Sequence, residues 1–186
     1  MTAKPPEILV IDRILTPIGE ALVAVDEDGF LRAFDWTDHA DRQVQLMRRY
    51  NGAVPVEAGP APQALRDALT AYFDGELTAI DSIPWRTQGT AFQLSCWNAL
   101  CQIPAGTTAS YGQQAARIGR PAAVRAVGLA NGANPIGLVV PCHRVIGANG
   151  TLTGYGGGLH RKRWLLRHEG APFRDDGVGE TLELAL

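Results

Sequence analysis

The stretch of this chain best suited to chemistry is Val139-Val140-Pro141-Cys142-His143-Arg144-Val145-Ile146, where apolar, strand-like residues flank a thiol with two cationic neighbours. The nucleophile in cysteine chemistry is the thiolate, and a free thiol ionises only near pH ~8.5. Burial between Val140 and Val145 opposes ionisation, so the thiolate must rely on His143 or Arg144. An imidazole that takes up the thiol proton needs an orienting carboxylate. Residues 89–170 contain a single acid, Glu169, the expected third member of a Cys142-His143-Glu169 relay. Neighbours on a strand point to opposite faces, so His143 reaches Cys142 only across a backbone bend or a bridging water. A buried structural thiol is the competing reading of Cys142; the adjacent His and Arg weigh against it. Cys96 and Cys101 are five apart, which does not put them on one helical face, and no second pair has metal-ligand spacing. No metal or cofactor is expected. The odd count of three cysteines argues against a disulfide framework and for a reducing, cytoplasmic compartment.

The elements that must position these residues are legible in outline. Ile8–Leu15, Glu20–Asp26 and Phe30–Trp36 read as strands of an antiparallel meander, separated by Thr16-Pro17-Ile18-Gly19 and Glu27-Asp28-Gly29 turns. Asp38–Tyr50, with Asp38 as N-cap, and Pro62–Asp74 read as helices, with a Pro/Gly-rich loop over 51–62. Past a boundary near 80–89 the pattern turns helical: Ala91–Gln102, then Tyr111–Ile118 opened by a Ser110-x-x-Gln113 capping box, then Pro121–Ala130, and finally His160–His168. Two short helices joined by a Gly-containing turn form a helix-turn-helix candidate. The second carries Arg125 among Ala122, Ala123, Ala126 and Gly128, small residues that permit close approach to a groove or to another helix.

The whole chain, 186 residues with net charge −2, hides a division. Residues 1–88 carry 8 Lys/Arg against 14 Asp/Glu; residues 89–170 carry 8 Lys/Arg against Glu169 alone. Such a basic block fits an anionic partner or a merely solvated face. Residues 171–186 are acidic and are expected to form a flexible tail. No run of 18 apolar residues and no signal-peptide layout is present, so no membrane span or secretion is expected.

Ser110-Tyr111-Gly112-Gln113-Gln114, Ala123-Val124-Arg125-Ala126-Val127-Gly128, Asn134-Pro135, Pro141-Cys142-His143-Arg144-Val145, Gly154-Tyr155-Gly156-Gly157-Gly158 and His168-Glu169-Gly170 follow one another over residues 89–170. In that order they resemble the O6-alkylguanine-DNA alkyltransferases. The resemblance implies a small N-terminal ribonuclease-H-like α/β domain (1–88) and a mainly helical, winged helix-turn-helix domain (89–170). It implies an irreversible, single-turnover transfer of an alkyl group from O6-alkylguanine to Cys142. His143 would deprotonate Cys142 through a water, oriented by Glu169, and Tyr111 would protonate the leaving guanine. Arg125 would fill the stack left by a flipped base, which O6 chemistry requires. Ala126 and Gly128 would lie in the minor groove, Tyr111 would crowd a phosphate, and Arg144 would also meet the DNA. Asn134, Val145, Tyr155, Gly156 and Gly157 would form the base pocket, with the carbonyls of Cys142 and Val145 reading the exocyclic amine. The implied partner is double-stranded DNA, bound by a monomer. The sequence departs from some relatives at Gly156, where others carry Ser, at Gly137, where a Pro can wall the pocket, and in lacking an N-terminal zinc set. A lesion-binding module without transfer and a Cys-His-Glu hydrolase are the alternative functions.

Overall fold

In the computed structural model, which describes residues 4–175, a mixed α/β fold is built around a four-stranded sheet. β1 (Leu9–Thr16), β2 (Gly19–Asp26) and β3 (Leu31–Trp36) form the expected antiparallel meander. Gly19, at φ +122°, closes the first turn in a conformation open to glycine. α1 (Ala40–Asn51) follows, and β4 (Val56–Ala58) then pairs in parallel with β1, giving the order β3-β2-β1-β4. β4 lies inside the stretch read as loop, because three exposed residues among Pro and Gly carry no alternation. Asp38 is not an N-cap. It sits in a 3₁₀ turn over Thr37–His39, and its carboxylate binds Arg161 at 2.9 Å. α2 (Gln63–Phe73) crosses back over the sheet with Leu65, Leu69 and Tyr72 inward.

α3 (Ala91–Leu100) opens with a Thr90/Gln93 capping box and α4 (Tyr111–Arg117) with the expected Ser110/Gln113 one; each satisfies orphan N–H groups reciprocally. Two-residue strands β5 (Ala109–Ser110) and β6 (Val145–Ile146) pair in parallel. α5 (Val124–Gly132) begins three residues after Pro121, which lies in the preceding turn rather than in the helix. α6 (Leu159–His168) ends beside Glu169.

The chemistry-bearing segment is the main correction. Cys142–Arg144 is a 3₁₀ turn, and only Val145–Ile146 is strand. The approach to this turn is stitched to the sheet. Phe34 of β3 donates to Pro135 O at 2.9 Å and accepts from Gly137 at 3.1 Å. One apolar cluster runs through both halves, from Val23, Phe34 and Trp36 to Trp97, Val127, Val140 and Leu165. The Cys142 turn is therefore held by the sheet as well as by the helices around it.

The first residues of the expected tail are anchored. Arg174 pairs with Thr151, and Asp175 binds Arg163 at 2.9 Å and Arg167 at 2.6 Å. Residues 176–186 lie outside the described residues. Among those described, no helix is long and apolar enough to cross a membrane, and no His/Cys/Asp/Glu group could hold a metal.

Candidate active site

Cys142 lies on the wall of a cavity of about 390 Å³ lined by Tyr111, Gly128, Asn131, Gly132, Gly154, Tyr155 and Gly156. That is the small end of the range for ligand sites. Its residues come from α4, α5, the 3₁₀ turn and the glycine-rich loop before α6.

The turn dissolves the geometric objection raised by a strand. Cys142 faces the cavity while His143 points into the protein and is fully buried. His143 Nε2 lies 2.9 Å from Glu169 Oε1. A carboxylate can only accept, so Nε2 carries the proton and Nδ1 is the acceptor of the neutral ring. Nδ1 is buried and has no hydrogen-bond partner among the described residues. Burial pushes the His143 pKa down, and Glu169 only partly restores it, so the resting imidazole is neutral. Burial pushes Glu169 up, but His143 and Arg144 more than reverse this and hold the carboxyl well below the usual range.

Arg144 requires a correction. Its side chain is buried, with Nε 2.9 Å from Glu169 Oε2, Nη2 2.9 Å from Oε1 and Nη1 2.7 Å from Ile103 O. A fork bound on both oxygens of a buried carboxylate is not available to DNA or to the thiol. Burial pushes the Cys142 thiol up, and the groups that pull it back are the Asn134 amide, Lys162 and Arg42. Lys162 and Arg42, which no motif in the sequence marks, thus join Asn134 in favouring the anion, and Arg144 is spent on Glu169.

Asn134 is a brace behind the sulfur rather than a pocket wall. Its Nδ2 donates to Val140 O at 2.8 Å and to Cys142 Sγ at 3.4 Å, and its Oδ1 accepts from Ile136 N at 3.0 Å. Val145 is likewise buried. Its carbonyl accepts from Lys162 Nζ at 2.6 Å, and the same ammonium binds Thr153 O at 2.9 Å. Burial lowers the Lys162 pKa to about 8, against an opposing pull from Cys142. Sequence reasoning passed over Lys162 because it sits in a basic run, Arg161-Lys162-Arg163, that reads as a solvated face.

Tyr111 opens α4 at the cavity rim, where Thr153 Oγ1 donates to its hydroxyl at 3.0 Å, leaving the phenol proton free to point inward. Burial raises its pKa, so it enters any reaction protonated. Arg125 and Ala126 are exposed on α5, and Gly128 faces the cavity from the same helix. Tyr155 and Gly156 line the cavity, whereas Gly157 is buried against Trp36 and its carbonyl accepts from Arg161 at 3.0 Å.

Arg42, from α1, was also missed. It pairs with Asp35 and donates to Gly132 O at 2.9 Å and Asn134 O at 3.3 Å. A Cβ at Gly156 would stand 2.5 Å from its guanidinium. The glycine at 156 therefore accommodates an arginine reaching across from the sheet side.

A family model described as the DNA binding domain of 6-O-methylguanine DNA methyltransferase matches residues 91–171. A methylated-DNA–protein-cysteine methyltransferase of Salmonella typhimurium is 53% identical over 165 residues, covering 87% of this chain and 96% of that protein. One from Methanosarcina acetivorans is 46% identical over 160 residues, covering 84% and 95%. The crystal structure of Mycobacterium tuberculosis OGT in complex with DNA superposes with a TM-score of 0.75 at 42% identity, covering 89% of this chain and 95% of that one.

Proposed function

The chain belongs to the methylated-DNA–protein-cysteine methyltransferase family, and from that premise we propose how its residues divide the reaction. It is a DNA-repair protein that transfers an alkyl group to one of its own cysteines. We assign the acceptor as Cys142 and the substrate as O6-alkylguanine turned out of duplex DNA into the cavity. The observation that carries this is Cys142 Sγ on the cavity wall, braced by Asn134 and backed by a buried His143-Glu169 pair.

A water between Cys142 Sγ and His143 Nδ1 would carry the thiol proton to the imidazole. The thiolate then displaces guanine at the alkyl carbon. The S–C bond forms, the C–O6 bond breaks, and the electron pair passes into the purine. Tyr111 supplies a proton to the leaving base, and Tyr111 and His143 re-equilibrate with solvent. The product thioether has no route back to a thiol, so each molecule acts once.

Arg125 is the residue to occupy the vacated stack, with Ala126 and Gly128 lying against the groove. Residues 89–170 form the DNA-binding and acceptor unit, and residues 1–88 a supporting unit. The meander followed by a helix and a parallel fourth strand supports a ribonuclease-H-like reading of the latter. The α4–turn–α5 pair beside β5 and β6 supports a winged helix-turn-helix reading of the former. The protein is taken to act as a monomer.

The test is mass spectrometry after incubation with duplex DNA containing O6-methylguanine. The Cys142 peptide gains one methyl group, and Cys142→Ala binds the DNA without transfer. An unmodified Cys142 peptide in intact protein, with all adducts still on the DNA, rejects the assignment.

A further inference from the structure

Glu169 receives a donor that neither the relay nor the DNA-binding unit supplies. Tyr72, near the end of α2, donates from its hydroxyl to Glu169 Oε1 at 2.8 Å. The same oxygen accepts from His143 Nε2 and Arg144 Nη2, each at 2.9 Å. Arg144 already grips both carboxylate oxygens and fixes their plane, so Tyr72 is not needed to orient the acid. What a third donor on Oε1 does is share out the negative charge that faces the imidazole.

The phenol is held for this role from two sides. The Tyr72 carbonyl lies 2.7 Å from His168 Nε2, one residue before Glu169, and its ring meets the His168 ring edge-on at 5.2 Å. Trp164 stacks on His168 at 4.8 Å and lies 5.9 Å from Phe73, closing an aromatic seam between α2 and α6. Tyr72 is completely buried, and burial together with Glu169 keeps it protonated. Its hydroxyl can therefore act only as a neutral donor to the acid.

We propose that Tyr72 is a positioning residue of the alkyl-transfer site, acting through Glu169 to keep His143 weakly basic and hence neutral, ready to accept the thiol proton. This rests on the assignment of Cys142, His143 and Glu169 above. It makes the supporting half of the chain a contributor to the chemistry. The other groups facing His143 and Glu169 are Arg144 from the same turn, Lys162 from α6, Tyr155 from the glycine-rich loop and Cys142 itself. Among the described donors on the acid, Tyr72 can be removed without deleting a charge or the imidazole being titrated.

The test compares the parent with Tyr72→Phe in two measurements. In the first, the ring protons of His143 are titrated by NMR without DNA. In Tyr72→Phe the His143 pKa rises by about half to one unit, the size of one neutral hydrogen bond lost from its carboxylate. In the second, single-turnover methyl transfer is followed against pH. The acidic limb moves up by the same amount, so the rate deficit widens as pH falls. An unmoved His143 titration, or a deficit identical at every pH, overturns the proposal. A parent that titrates normally but transfers no methyl group instead removes the functional reading on which the proposal rests. Should Tyr72→Phe fail to fold, a fluorinated tyrosine at position 72 keeps the ring and strengthens the donor. It must move the His143 titration the opposite way, and no movement is again a refutation.

Discussion

At the scale of single residues, the reactivity of Cys142 is set by groups that stabilise its anion against the cost of burial. Asn134 is the closest, donating to both the sulfur and Val140 O. Replacing it with Ala removes a hydrogen bond to a developing charge, worth about 1.5–3 kcal/mol, and takes the acceptor from the buried Ile136 N–H, while Val140 O keeps its bond from Cys142 N. The expected outcome is a higher thiol pKa and alkylation slower by roughly ten- to a hundredfold. Both are read from the pH dependence of Cys142 reacting with iodoacetamide and with alkylated DNA. Gly156 yields a second expectation. Serine there would push its Cβ into the Arg42 guanidinium, which must swing aside and give up its bonds to Gly132 O and Asn134 O, so Gly156→Ser lowers stability by about 1–3 kcal/mol. In denaturant titrations, adding Arg42→Ala recovers part of that loss, a coupling expected of residues in contact. Additive losses would show that Arg42 is not what excludes the serine.

At the scale of elements, the basic block of the sequence divides into two populations. Arg144, Arg161, Lys162 and Arg163 are buried and bonded within the protein, and the exposed Arg167 is paired with Asp175. Arg117, Arg120 and Arg125, on and around α4 and α5, are the exposed cations left to face DNA. Each phosphate contact contributes about 0.9 to the salt slope of binding. Arg117→Ala and Arg120→Ala should each flatten the plot of log affinity against log salt by up to about that much, in fluorescence anisotropy. Arg163→Ala should leave the slope unchanged. Arg125 differs because the role proposed for it is in the stack. Arg125→Ala should slow repair of a paired lesion, and a substrate whose lesion is already unpaired should recover part of the rate. Equal losses on both substrates would remove the base-replacing role.

At the scale of the whole molecule, the turn proposed as the reactive centre is also a structural joint. Glu169 lies low in the folded state and near ~4.3 unfolded, so its stabilisation is complete above the unfolded value and is lost as pH falls below it. Thermal melting should therefore drop steeply on acidification below about pH 4.5, and Glu169→Gln should flatten that drop while lowering stability at neutral pH. The neutral-pH loss follows because Arg144 would then be a buried charge without its partner. Methylation of Cys142 acts at the same joint. It adds a methyl group beside the Asn134 amide and leaves the sulfur a poorer acceptor. A cost of about 1–3 kcal/mol corresponds to a melting temperature roughly 2–10 °C lower in a chain of this size, measurable by calorimetry before and after reaction. An unchanged melting temperature would mean the cavity absorbs the adduct without strain.

Local signals in the sequence determined the meander, from its strand alternation and turn residues, and the helix ends, from the Ser110/Gln113 box and the glycines that follow. They also determined the His143-Glu169 partnership, because only one acid was available in the second half. The Cys142 turn was misread because Val-rich flanks favour a strand, whereas the pairing of β3 with 135–137 and the Asn134 brace bend the chain there. Arg144 and Lys162 resembled surface cations because burial is a property of the assembled core, invisible in residue type. Arg42 and Tyr72 carry no motif at all. They reach the site from 92 and 97 residues away along the chain, to Asn134 and Glu169, and proximity across such separations exists only once the sheet half and the helical half share one core.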